Sequence, residues 1–445
     1  MDKIEQKIIK LIDDNSDKII EFARDILSHP ELGYKEKRTA EKVAEILKKN
    51  SEYVEENLAV TGVKAYLKNK KTEDINVALI GELDAVVSPE NKNADKVTGA
   101  CHACGHNAQL AGIIGASFAL ADNEIKDALN GNVTFFAVPS EEYGEVEYKL
   151  SLKEKNIIKY GGGKCELIRI GAFDDIDISV THHICPGKYD IITSNNTNNG
   201  FVSKVTRYKG KASHAAAAPH LGVNAVNAAS IGLGAASYQR ETFRDEDNVR
   251  VHSIITKGGG IVNVVPDEVI IESLVRANNM DAIEDADRKV NRAFKSGAMA
   301  VGGKIEIITS PGYLPIIPLD NEPKIIYDIA KNVLNIDKIK RNDKNFHSSG
   351  STDVGDLTYL MPVLMFETGG AIGGLHSGEF EIVDETTAYI TTAKIMALTA
   401  YRLLRNKAEE AVRIKNDFKP TFTTQQYRDY MDKFENVIEE DYSSL

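Results

Sequence analysis

Two short apolar runs, Asn76 to Gly81 and Val133 to Val138, end on acidic residues: Glu82 and Asp84 after the first, Glu141 and Glu142 after the second. Runs apolar at consecutive rather than alternate positions predict strands covered on both faces, as in a parallel sheet layered by helices. A helix predicted over 108–121 separates the two, so strand and helix alternate and the fold class is α/β with a mixed, largely parallel sheet. Such sheets bind ligands beyond the carboxyl ends of their strands. Glu82, Asp84, Glu141, Glu142 and His183 all fall there by this reading.

With 445 residues the chain exceeds one ordinary core and predicts two or three domains. Apolar spacing over Ile4–Ile12 and Ile19–Leu27 predicts helices that stop at His29-Pro30. Another helix over 38–48 leads into a polar turn. From about Asn199 the pattern changes: a strand at 202–206, a helix at 223–238, strands at 249–256 and 269–276, a helix at 282–296 and a strand at 304–309. That order is the β-α-β-β-α-β of a ferredoxin-like unit. Inserted at 198–310, it would split the α/β domain into 1–197 and 311–445. The latter continues with a helix at 324–333, a strand at 363–366, a glycine-rich loop at 369–378 and a helix at 386–404. Beyond Asn406 the tail reads as surface helix without nameable chemistry.

Charge narrows the partners. A net charge of −12 disfavours nucleic acid or an anionic membrane as the main partner. No apolar run approaches the roughly 18 residues of a membrane span, and the start lacks a signal core, so a cytoplasmic protein is expected. Four cysteines are too few for a disulfide framework in a chain of this size.

The segment His102-Ala103-Cys104-Gly105-His106-Asn107 sets a thiolate and an imidazole two residues apart, a pair that can hold one divalent ion. Glu141-Glu142, His182-His183 and His376 supply the other parts of a dinuclear hydrolase. Cys101 with Cys104 would also suit a zinc ribbon, but no second CxxC exists. Glu141 is the candidate general base, since a metal-activated water still needs an acceptor for its proton.

Several segments together resemble the aminoacylase and carboxypeptidase-like family of di-metal amidohydrolases, nearest the branch with aminobenzoyl-glutamate hydrolase. They are His29–Gly33, Gly81–Ala85, His102–Asn107, Pro139–Glu142, Gly171–Asp174, His214–Asn224, Asn263–Pro266, Ser351–Asp356 and Leu375–Ser377. The resemblance implies two divalent metal ions per subunit, zinc or manganese with cobalt as a further option. Cys104 would bridge them, with His106 and His183 on one ion and Glu142 and His376 on the other. Counting six residues from Asp177 selects His183 over His182. Asp84 would orient a ligand imidazole. The inserted unit would serve as a dimerisation and lid domain. Its His214 would reach the partner's site to stabilise an oxyanion, while Asn263 and Arg276 would grip a substrate carboxylate. The implied substrate is a small N-acyl-amino acid or a dipeptide, and the implied assembly is a homodimer.

Two departures stand out. Asn107 replaces an aspartate common in that family, removing a charge near the metals. Residues 143–160 form an extra segment, whose charged helical spacing predicts a flap over the site. The rival readings are a dipeptidase or aminopeptidase of the same family, and a non-catalytic partner chain that keeps the fold. The complete set of candidate ligands disfavours the latter.

Overall fold

The computed structural model describes residues 1–69, 74–194, 196–319, 324–342 and 345–444. The strands of its two principal sheets are, in chain order, β1 (Tyr53–Leu58), β2 (Gly62–Tyr66), β3 (Asn76–Glu82), β4 (Asn132–Val138), β5 (Ile178–Ile184), β6 (Ile191–Ser194), β7 (Gly200–Lys209), β8 (Arg250–Lys257), β9 (Glu268–Ala277), β10 (Lys304–Tyr313), β11 (Ile339–Arg341), β12 (Val363–Thr368) and β13 (Asn436–Asp441).

The apolar runs form β3 and β4, both buried along their whole length. They lie in an eight-stranded mixed sheet ordered β1-β2-β4-β3-β5-β12-β6-β11, whose central strands β4, β3, β5 and β12 are mutually parallel. Over β3 lies helix His106–Leu120, buried on almost every residue, which is why its sequence is apolar all round rather than on one stripe. Helices Lys3–Asp14, Ser16–Ser28 and Thr392–Leu404 pack around that helix. One large hydrophobic core results, and every central strand ends at the same edge of it.

Two strands fall where the sequence suggests only a polar turn. β1 and β2 pair antiparallel and extend the sheet past β4. Lys64 obscures the pattern by standing in the fully buried β2, where its ammonium donates to the Ala172 carbonyl (2.6 Å) and to Asp175 (2.5 Å). An unpaired buried ammonium costs several kcal/mol, so those partners make the position tenable.

The second sheet is antiparallel, ordered β8-β9-β7-β10-β13. Helices Ala225–Tyr238 and Met280–Val301 complete a β-α-β-β-α-β order. Its fifth strand comes from the tail: β13 pairs with β10 in register Ile307↔Ile438. The tail is therefore more than surface helix. Helix Thr424–Asp432 buries Tyr427, Tyr430 and Met431.

Candidate metal centre

Each central strand delivers its functional residues at the edge where it ends. Glu82 closes β3, Asp84 follows it, and Glu141 and Glu142 follow β4. His183 lies inside β5 rather than past its end. Side chains alternate along a strand, so the adjacent histidines face opposite sides. His183 Nε2 lies 3.2 Å from Cys104 Sγ. His182 Nε2 turns instead to the Thr368 hydroxyl at 2.7 Å, its ring against Phe366. Burial and the neighbouring His183 hold the His182 imidazole well below its usual pKa.

Gly105 makes the turn between Cys104 and His106. Its φ is +79°, in the left-handed region glycine favours, and a Cβ there would stand 2.8 Å from Ile184 Cγ1. His106 then opens the helix over β3, and its Nδ1 lies 2.8 Å from the Asp84 carbonyl, which assigns the proton to that nitrogen. Nε2 thereby becomes the free donor atom. It has no hydrogen-bond partner, and the nearest carboxylate oxygen, Glu82 Oε2, is 3.1 Å away. The Asp84 carboxylate accepts from the Glu142 amide through Oδ2 at 2.9 Å, so this one residue, by its carbonyl and its carboxylate, holds two candidate ligands. His376, from the glycine-rich loop, brings Nε2 within 2.9 Å of Glu142 Oε1.

Among the described residues three overlapping groups emerge, each with donor atoms within 4.8 Å of one another: Cys104, His106 and His183; Cys104, Glu142 and His376; and Glu82, His106 and Glu141. Cys104 belongs to two of them. Burial and the Glu142 charge raise its thiol pKa, while burial and the charges of Glu82 and Glu142 raise that of Glu141. For Glu142 burial opposes ionisation, yet the bond and charge of His376 outweigh it and the pKa falls. So many anionic donors converging in one buried place need cations to be stable together. The unpartnered His106 nitrogen and the shared thiol fit divalent late first-row ions.

Sequence reasoning passed over the supports of this cluster. Lys164 is fully buried and bridges Glu82 Oε1 and Asp353 Oδ1, each at 2.5 Å. Gln109 donates to Glu82 Oε2 at 2.6 Å. The run Gly161-Gly162-Gly163 before Lys164 was the available signal. Gly163 has the Pro139 carbonyl 1.6 Å from where a Cβ would stand. Asn107 does not face the candidate ligands: its amide donates to the Ala23 carbonyl and the Tyr389 hydroxyl, so no charge is missing beside them.

A cavity of about 840 Å³ opens over the cluster, lined by Cys104, Glu141, Glu142, His183 and His376 on one side and Arg276 of β9 on the other. Arg276 donates to the Ser351 hydroxyl at 2.8 Å and keeps a buried Nε without a partner. His214 and Asn263 do not line the cavity; both are exposed on neighbouring loops of the second sheet, where the Ala215 amide donates to the Asn263 carbonyl. The extra segment holds helix Val146–Glu154, but only Tyr143, Gly144 and Glu145 of it reach the cavity. The helix is packed behind the site and is no flap over it.

Known proteins resemble this chain in sequence and in fold. The human Xaa-Arg dipeptidase is 28% identical over 347 residues, 75% of this chain and 73% of that protein. A p-aminobenzoyl-glutamate hydrolase chain of Escherichia coli is 27% identical over 332 residues, 71% of this chain and 64% of that one. A Bacillus subtilis structure described as a dinuclear metal binding peptidase from the M20 family superposes with a TM-score of 0.61 at 21% identity, covering 87% of this chain and 98% of that one. The model of peptidase family M20/M25/M40 matches residues 78–402, a span that holds every candidate ligand above. This chain belongs to peptidase family M20/M25/M40 and is a hydrolase.

Proposed function

We propose that this protein is a metal-dependent amidohydrolase that cleaves the amide of a small N-acyl-amino acid with a free carboxylate, of the aminobenzoyl-glutamate kind. The observation that carries the reading is the shared Cys104, common to two ligand groups that face Arg276 across one cavity. Cys104, His106 and His183 would hold one divalent ion, and Cys104, Glu142 and His376 the other; the thiolate and imidazoles suit zinc, and the carboxylate suits manganese or cobalt. When bound, such a pair polarises a carbonyl and lowers the pKa of water.

The chain's own residues supply the rest. Glu141, with Oε2 4.0 Å from His106 Nε2, accepts a proton from the attacking water and returns it to the leaving amine. Its environment, which favours the protonated form, suits that second transfer. Arg276 offers its free Nε–H to the substrate carboxylate. Asp84 keeps the His106 ring aligned.

The oxyanion donor comes from elsewhere. His214, with Asn263 beside it, points to a second copy of the chain that completes the site, so 198–310 acts as a dimerisation unit inserted between 1–197 and 311–445. The exposed edge strand β8 and the exposed Ile261 and Val262 support a partner there. Among the described residues no helix is long and apolar enough to cross a membrane, and all four cysteines are free, which fits a reducing cytoplasm. A dipeptidase is the second reading, favoured by the similarity to the Xaa-Arg dipeptidase.

Protein loaded with manganese or zinc should hydrolyse one class among aminobenzoyl-glutamate, N-acetyl amino acids, hippurate and basic dipeptides. Glu141→Gln should lower kcat by about 10²–10⁴-fold with metal content unchanged. Less than one ion per chain, together with full activity in Glu141→Gln, would refute the assignment.

A further inference from the structure

Lys149 stands apart among the buried cations of this chain, because its ammonium is spent on the loop that carries Glu141 and Glu142. Only 3% of the residue is exposed. Nζ donates to Ser140 Oγ at 2.8 Å, to the Glu142 carbonyl at 2.9 Å and to the Gly161 carbonyl at 3.0 Å. Three acceptors use all three of its N–H bonds. The ring of Tyr143 lies 4.8 Å away and adds a cation–π contact.

The loop needs such a clamp. Ser140 sits at φ +50°, in the left-handed region that a serine avoids, immediately before the two glutamates. Its amide donates to Glu36 Oε1 at 2.8 Å and its carbonyl accepts from the Gly163 amide at 3.0 Å. Together with Lys149 these bonds tie the turn on every side. The helix bearing Lys149 is anchored at its far side as well: Lys153 bonds Ser310 Oγ at 2.8 Å and pairs with Glu435, and Glu147 pairs with Arg207 at 3.1 Å. The segment 143–160 is a strut between the glutamate loop and the second sheet.

We propose that Lys149 is a positioning residue for the glutamate pair, with the extra segment holding Glu142 in its ligating pose and Glu141 in its proton-accepting pose. The inference rests on the reading of Glu142 as a metal ligand. Lys149→Met keeps most of the volume and removes all three donors. Chelator competition on this variant should show the more weakly held manganese ion bound about 10- to 100-fold less tightly than in the wild type. At saturating manganese kcat should fall while KM stays within about twofold. Lys153→Met, on the same helix, should lower the thermal midpoint and leave metal affinity unchanged, which separates positioning from mere stability.

If Lys149→Met does not fold, Ser140→Gly removes one acceptor where glycine takes the backbone angle without strain, and a smaller loss of affinity is expected. Wild-type affinity for both ions in the variant that folds would overturn the proposal. Metal binding is read without substrate, so that outcome leaves the hydrolase reading standing. A wild-type protein that binds two ions yet cleaves none of the tested amides would strike the hydrolase reading instead.

Discussion

The edge of the large sheet and the outer face of the second sheet are opposites in construction. At the first, Cys104, His106, Glu141 and Asp84 are buried, and each ligand loop is fixed by a neighbour such as Asp84, Lys149 or Lys164. At the second, β8 pairs among the described residues only with β9, Ile254 and Ile255 are 62% and 51% exposed, and Val262 beside Asn263 is 99% exposed. Buried polar clusters demand internal partners, whereas an open apolar edge invites an external one. On the reading proposed above, the first surface is the finished half of one site and the second the unfinished half of another.

The sharpest way to break this contrast is complementation. His214→Ala alone should reduce kcat by about 10²–10³-fold, the worth of one oxyanion donor. Glu141→Gln is comparably impaired. After subunit exchange between the two variants, a mixed dimer has one subunit with Glu141 facing a partner with His214, and one site with neither. Activity should then recover to about a quarter of wild type, because half the dimers are mixed and each has one intact site. No recovery on mixing would place His214 and Glu141 in the same chain's site and erase the division between finished and unfinished halves.

Arg276 lies between the two regions, carried by the second sheet yet facing the metal-side cavity. A hydrogen bond to a charged group contributes about 1.5–3 kcal/mol, so Arg276→Ala should raise KM roughly 10- to 100-fold for acyl-amino acids. The corresponding substrate amides, which lack the carboxylate, should show little change. Equal losses for both substrate types would assign Arg276 a structural role through Ser351 and the Phe201 ring, which lies 5.2 Å from its guanidinium carbon.

The sequence was most readable where one physical demand dominated. β3 and β4 were legible because burial on both faces leaves few polar positions, and Glu82, Asp84, Glu141 and Glu142 because they stand just after those runs; Cys104, His106, His183 and His376 lie elsewhere and were picked out by the family resemblance. β1 and β2 escaped because Lys64 breaks the apolar run, and its compensating partners, Ala172 and Asp175, lie more than a hundred residues away. Lys149 and Lys164 escaped for the same reason: lysines at helical spacing read as a solvated face until the fold supplies their acceptors. The pairing of β13 with β10 is likewise non-local, and nothing in Asn436–Asp441 announces its partner.

The smallest expected effect tests how the tail joins the two regions. Asp356 is buried behind the site, accepts from the Tyr427 hydroxyl at 2.8 Å and from the Leu314 amide at 3.2 Å, and so links the tail helix to the chain leaving β10. Burial pushes its carboxyl up to about 8, against the lowering effect of the Tyr427 bond. An unfolded aspartate titrates near pKa 3.9, so between about pH 4 and pH 8 the folded chain holds a proton that the unfolded chain has lost. Stability from this group is therefore greatest in acid and declines as pH rises through that window. Asp356→Asn cannot ionise; it keeps an acceptor for Tyr427 and loses the one for Leu314, at a cost of about 1 kcal/mol in acid. Its thermal midpoint should start lower at pH 5 and fall less by pH 8 than that of the wild type. Parallel midpoint curves would mean that Asp356 is ionised in the folded protein, and the seam between tail and site would then be an ordinary charged contact.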